Sequence, residues 1–179
     1  MWNKACYRII QFYRAVTAST DEKDRQFLQK YLNQAEQQLF YSMALPEQRH
    51  SLNTACSAEK MAAGYTGRID ETRLIRVALL HDVGKAAGDM SPVDKGLAVL
   101  LDAAFPQSAR SWAKKGRGGR IANLRHALYV YYHHAEISYE KLSALELSDI
   151  AEIAARHHKA PAESDPLELL LLRKAEAEN

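Results

Sequence analysis

The strongest chemistry in the chain sits at His81-Asp82, inside the string Leu79-Leu80-His81-Asp82-Val83-Gly84-Lys85. A near-unbroken apolar run, Leu74-Ile75-Arg76-Val77-Ala78-Leu79-Leu80, ends there in an imidazole, a carboxylate, a glycine and a lysine. Ligand-type side chains at the end of a buried element are costly unless something compensates them. A divalent cation does so, taking a lone pair from the histidine and charge from the aspartate. The competing reading is a helix end, with Asp82 capping the next turn and His81 topping the core. Taken alone, the pair leaves the two readings even.

The other histidines move the balance. His50 lies upstream in Gln48-Arg49-His50-Ser51-Leu52, His134 opens His134-Ala135-Glu136-Ile137-Ser138, and His157-His158 follow later. Helical spacing puts His157 and His158 seven residues after Ile150 and Ala151, and His134 seven after Ala127, on apolar faces. One histidine on such a face is more often a satisfied core residue than a ligand. The order His50, His81-Asp82, His134 and then His157-His158 resembles the HD superfamily of metal-dependent phosphohydrolases. That pattern is a His, a His-Asp pair and a distant Asp. The His-Asp-Val-Gly-Lys string is also similar to the subgroup written His-Asp-Ile-Gly, which adds two histidines, the first opening a His-Pro-Glu-Ile-Gly string. Ala135 and Ser138 stand where that string has its Pro and final Gly.

The resemblance runs from about Glu47 to the C-terminus. It implies one or two divalent ions, with Asp82 between them, His50 and His81 on one, and His134 and His158 on the other. Imidazoles with a shared carboxylate suit Fe, Mn, Ni, Zn or Co better than Ca, which prefers oxygen alone. His134 is preferred to His133 because it opens the Ala-Glu-Ile string, and His158 to His157. His126 and His133 read as helix-surface imidazoles or supports behind the ligands. The family's last ligand is an aspartate in an Ala-Asp string, and here that string is Ala175-Glu176. The stripe Leu169, Leu172, Glu176 turns Glu176 inward. Asp165 is the rival, but Asp165-Pro166-Leu167-Glu168 reads as a helix cap with Pro at the first position.

Lys85, three residues beyond Asp82 and past a flexible Gly84, could reach a phosphate and offset its charge. The alternative is a solvated lysine after a helix. Arg49 beside His50 is a weaker candidate for the same contact. The segment Lys114 to Arg120, with three glycines and four basic residues, reads as a solvated mobile loop. It lacks the interleaved aromatics that would stack bases, so a nucleic-acid partner is not expected. The expected function is a metal-dependent phosphohydrolase acting on a nucleotide or other small phosphoester. Short single-domain members that split dinucleoside polyphosphates are the branch most similar in spacing, and no Gly-Tyr-Pro string points to cyclic dinucleotides. The alternative is a module that binds metal and nucleotide for regulation without turnover.

The elements that must position these residues are helical throughout, and no stretch alternates at period two. Cys6, Ile9, Ile10, Tyr13 and Val16 form a first stripe. Ser19-x-x-Glu22 reads as a capping box for a second helix with Phe27, Leu28, Tyr31, Leu32, Ala35 and Leu39 inward. Pro46 starts the helix carrying His50, and Gly64 and Gly67 end it. Asp70 begins the helix reaching His81, Ser91-Pro92 opens another, and Phe105-Pro106 closes that one. The fold expected is all-α, an HD-type helical bundle: residues 1–45 an N-terminal helical extension, residues 46–179 the phosphohydrolase domain. The extension would cover the site or form a homodimer. With 179 residues, 47% hydrophobic and 26% charged, the chain has the composition of one globular domain. A formal charge of +2 implies no polyanionic partner by itself. Cys6 and Cys56 read as small buried thiols rather than a disulfide framework. Neither a signal-type opening nor a membrane-length apolar run is read, and a cytoplasmic protein is expected.

Overall fold

The computed structural model describes residues 21–179, and the described residues form nine α-helices with one isolated bridge, Met43 to Ala86, and no strand. In chain order these are α1 (Glu22–Tyr31), α2 (Gln34–Tyr41), α3 (Leu45–Ala63), α4 (Glu71–Leu80) and α5 (Pro92–Ala104). Then follow α6 (Pro106–Trp112), α7 (Arg120–Ser143), α8 (Ser148–Arg156) and α9 (Leu167–Ala177). The all-α architecture is the one the periodicity calls for.

Helix α4 is the axle. Leu74, Ile75, Val77, Ala78, Leu79 and Leu80 are all 0% exposed, so the helix is apolar almost all round and runs through the core. Helices α2, α3, α8 and α9 pack around it. Each buried leucine or isoleucine contributes roughly 1.5–3 kcal/mol. Arg76 is the polar exception and pairs with the buried Glu36 of α2. Asp70 caps α4 by accepting from the Arg73 amide at 2.9 Å, and His81 is its C-cap. The axle therefore delivers His81 and Asp82, both 0% exposed, to one end of the core. Helices α5, α6 and α7 make a side bundle around Ala98, Ala109 and Leu128, and Tyr131 and Tyr132 of α7 donate to Asp102 of α5. The outer face of α5 leaves Val93, Leu97 and Leu100 exposed.

Several expectations change. The segment expected as one helix from Glu22 onward is two, because Asn33 accepts from the Glu36 amide and Glu36 answers in a second capping box. The break rotates the register, so Glu36 and Phe40 turn inward and Ala35 faces solvent. The box opening α1 is formed by Asp21 and Asp24. Pro166, not Asp165, is the N-cap of α9; Asp165 instead accepts from Arg156, from Arg173 at 2.6 Å and from the Ala162 amide at 3.0 Å. Cys56 is exposed rather than buried. Lys114 to Gly119 is a loop and Arg120 already begins α7; the loop backbone is held to that helix, the Lys114, Gly116 and Gly118 amides donating to Arg125, His126 and Asn123. Gly116 sits at φ +124°, where a side chain would be strained. The Cys6 stripe and Ser19 lie outside the described residues. Among the described residues, no helix is long and apolar enough to cross a membrane.

Candidate metal centre

Four helix segments and the turn after α4 converge on the Asp82 carboxylate. Two imidazole Nε2 atoms face its Oδ2, His81 at 3.5 Å and His50 at 4.0 Å. Two more face Oδ1, His134 at 3.6 Å and His157 at 3.9 Å. His158 brings its Nε2 to 2.9 Å from that of His134, and its Nδ1 lies 3.9 Å from Glu176 on α9. Three sets of ligand atoms each close to within 4.8 Å: His50, His81 and Glu176; His81, Asp82 and His157; His134, His157 and His158.

The local fold decides which ring nitrogen is free. His81 Nδ1 donates to the Ala78 carbonyl at 2.9 Å, His134 Nδ1 to Tyr131 at 3.0 Å, and His157 Nδ1 to Ala154 at 2.5 Å. A carbonyl can only accept, so each ring carries its proton on Nδ1 and turns a bare Nε2 lone pair toward Asp82. Arg173 of α9 ties down the end of α8, donating to the Arg156 and His157 carbonyls at 2.8 and 3.1 Å. The turn beyond Asp82 is clamped to α7: the Gly84 amide donates to Ser138 Oγ at 2.8 Å, and Lys141 Nζ to the Val83 carbonyl at 2.7 Å. A Cβ on Gly84 would lie 2.1 Å from the His134 carbonyl oxygen. Gly84 is therefore not a flexible link to Lys85; it lets the His-Asp turn touch the helix that carries His134.

Charge in the pocket is equally ordered. Burial pushes His81 and His158 down to about 4 and His157 to about 3, and lowers His50 and His134 as well. All five rings are thus neutral and able to ligate at pH 7. Burial alone, the largest single influence, would raise Asp82, but the Lys85 ammonium 2.7 Å away and the His81, His134 and His157 rings together outweigh it and hold the carboxyl well below its ordinary range. Glu176 is pushed up to about 7, first by burial and then by the charge of Asp82. His81 Nε2, Asp82 Oδ1 and His157 Nε2 are buried polar atoms with no hydrogen-bond partner. Leaving such atoms unpaired costs about 1–3 kcal/mol each. They form one of the three ligand sets, and divalent transition ions held by these overlapping sets would satisfy them, so the residues fit a metal.

The family comparison decides the class: the HD domain profile matches residues 48–178. The chain belongs to the HD domain family. It is accordingly an HD-domain phosphohydrolase with a His/Asp metal-binding cluster. No curated protein and no solved structure gives a significant match.

The structure gathers His50, His81, Asp82, Lys85, His134, His158 and Glu176, every one of them a candidate from the sequence. Arg49 is the outlier: its guanidinium bonds Asp24 of α1, at 2.5 and 3.1 Å. One member, Glu47, was missed, and His157 was ranked behind His158. His157, 3% exposed, reaches Asp82 more directly than His158, whose side chain is 49% exposed. The signal was its place three residues after Ala154 on the buried face. Glu47, 5% exposed, lies three residues before His50 on the same helix face, and its carboxylate joins Lys85 and Lys95. His126 is buried against Asp89, and His133 sits near Glu136.

Proposed function

We propose that the protein hydrolyses a small phosphoester, a nucleotide before other classes, with metal-activated water. The boundary near residue 45 between extension and phosphohydrolase domain belongs to this reading. The observation that carries it is the division of Asp82, with His50 and His81 on one carboxylate oxygen and His134 and His157 on the other. In this reading His50, His81 and Glu176 would hold one ion, His134, His157 and His158 would hold the other, and Asp82 would serve both. Divalent ions such as Mn, Fe, Ni, Zn or Co would supply Lewis acidity toward a phosphoryl oxygen and acidify water to a pKa of roughly 7.

The chain's own residues do the rest. Asp82, held ionised, keeps the shared charge fixed. The Nδ1–H contacts of His81, His134 and His157 hold the rings in place, so little reorganisation is needed on binding. Lys85 presents an ammonium beside the cluster, where it offsets charge on a phosphate. Arg49 is left out of this assignment because Asp24 engages it.

The test is phosphate release from a panel of mono-, di- and triphosphate nucleotides and simple phosphate esters, with chelator and with Mn²⁺ restored. Release abolished by EDTA and recovered with metal is expected, and Lys85→Ala should slow it without removing metal. Nucleotide binding with metal bound and no product would instead establish a regulatory binding module.

A further inference from the structure

Lys95 belongs to no ligand motif, yet the fold links it through Glu47 and Lys85 to Asp82 of the metal centre. It stands in the first turns of α5 and bonds one oxygen of Glu47. The other oxygen of Glu47 lies 3.8 Å from Lys85 Nζ, which itself donates to Asp82 at 2.7 Å. One nearly buried carboxylate therefore holds two ammonium groups, one on each oxygen. Their exposure differs: the Lys85 side chain is 16% exposed, whereas that of Lys95 is 46% exposed and open to solvent. Glu47 stands three positions before the ligand candidate His50, so the pair of cations is registered to the cluster by a single helical turn.

We propose that Lys95 is a specificity residue that reads a second phosphate, and that Glu47 is the positioning residue setting Lys85 and Lys95 apart at the right depth. Lys85 then neutralises the phosphate at the metal centre, and Lys95 contacts the next one outward. The substrate class this favours is a phosphoanhydride chain, a nucleoside di- or triphosphate or longer, over a single phosphate ester. A lysine serves such a site as a mobile point charge, tolerant of the angle at which the phosphate arrives. The inference rests on the phosphohydrolase reading above, which it narrows to one class of substrate. A purely mechanical role, tethering α5 to α3, would give the same ion pair but no preference among phosphate chain lengths.

The experiment compares metal-loaded wild type, Lys95→Met, Lys95→Arg and Glu47→Gln. It reads kcat and KM on the mono- and triphosphate of one nucleoside, and calorimetric binding of inorganic tripolyphosphate against orthophosphate. Lys95→Met should lower the triphosphate-over-monophosphate ratio of kcat/KM about tenfold, the size of one charge-assisted contact, mainly through KM. Lys95→Arg should restore most of it. Glu47→Gln should lower the same ratio and also kcat, because Lys85 loses its second anchor. The tripolyphosphate preference should fall in Lys95→Met by the same factor. Equal losses on both substrates, or an unchanged ratio, would overturn the proposal and leave the hydrolase reading intact. A Lys95-dependent tripolyphosphate preference without any turnover would uphold it and overturn hydrolysis instead.

Discussion

Replacing Gly84 by alanine tests whether the site is built by close approach of two backbones. A Cβ there would sit 2.1 Å from the His134 carbonyl oxygen, 2.9 Å from its carbonyl carbon and 3.0 Å from its Cα. All three are backbone atoms of the long helix α7, so no side chain can swing aside. Restoring ordinary contact requires the His-Asp turn and α7 to part by about 1.3 Å. Overpacking of this kind costs about 1–3 kcal/mol. Parting also weakens the 2.8 Å bond from the Gly84 amide to Ser138, worth about 0.5–1.5 kcal/mol. The expected destabilisation is roughly 2–4 kcal/mol, read as a lower urea midpoint. Because His134 moves with α7, metal affinity should fall about 10–100-fold, as when a group supporting a ligand is lost. Titration of Mn²⁺ by calorimetry gives that number. Ser138→Ala, which removes the hydrogen bond and no space, should show only the smaller stability loss. A Gly84→Ala protein within about 0.5 kcal/mol of the parent, with metal affinity unchanged, would refute the argument.

Two further outcomes follow from the same geometry. Glu176→Ala should lower metal affinity, whereas Glu176→Asp should keep it or tighten it; titration of both variants showing no change would remove α9 from the site. With chelator present the protein should be acid-labile: His81 falls from an ordinary 6.5 to about 4 in the fold because burial disfavours its charge. Its neutral form stabilises the fold fully above pH 6.5, and that contribution is lost as pH falls from 6.5 toward 4. By pH 5 His81 alone gives up about 2 kcal/mol; His157 and His158 act in the same direction and outweigh Glu176, whose raised pKa opposes them. Urea unfolding at pH 7 and pH 5 measures the difference, and equal midpoints would contradict it.

What the sequence made legible was decided by how local each signal is. The α4 run and its capping Asp70 lie within one stretch of chain, so the placement of His81 and Asp82 at a buried helix end could be read directly. The faces of His134 and Glu176 followed from helical period for the same reason. The choice between His157 and His158 depends on how α8 is rotated against α4 and α7, which period alone leaves one residue uncertain; the structure brings both. Glu47 was invisible because its partners, Lys85 and Lys95, are 38 and 48 positions away and carry no pattern linking them. Gly84 was read as freedom because sequence shows a missing side chain but not the His134 backbone occupying its place. Asn33 split one expected helix into two because a local capping box outweighed continuous apolar spacing.

Asp82 and the surrounding imidazoles are read as one metal centre. The most direct test is the metal content of protein purified without chelator, measured by elemental analysis on the parent and on Asp82→Ala. The parent should carry one or two transition-metal ions per chain, and the variant should lose them while remaining folded by circular dichroism. A folded parent with no transition metal, and no rise in melting temperature when Mn²⁺ is added, would contradict it.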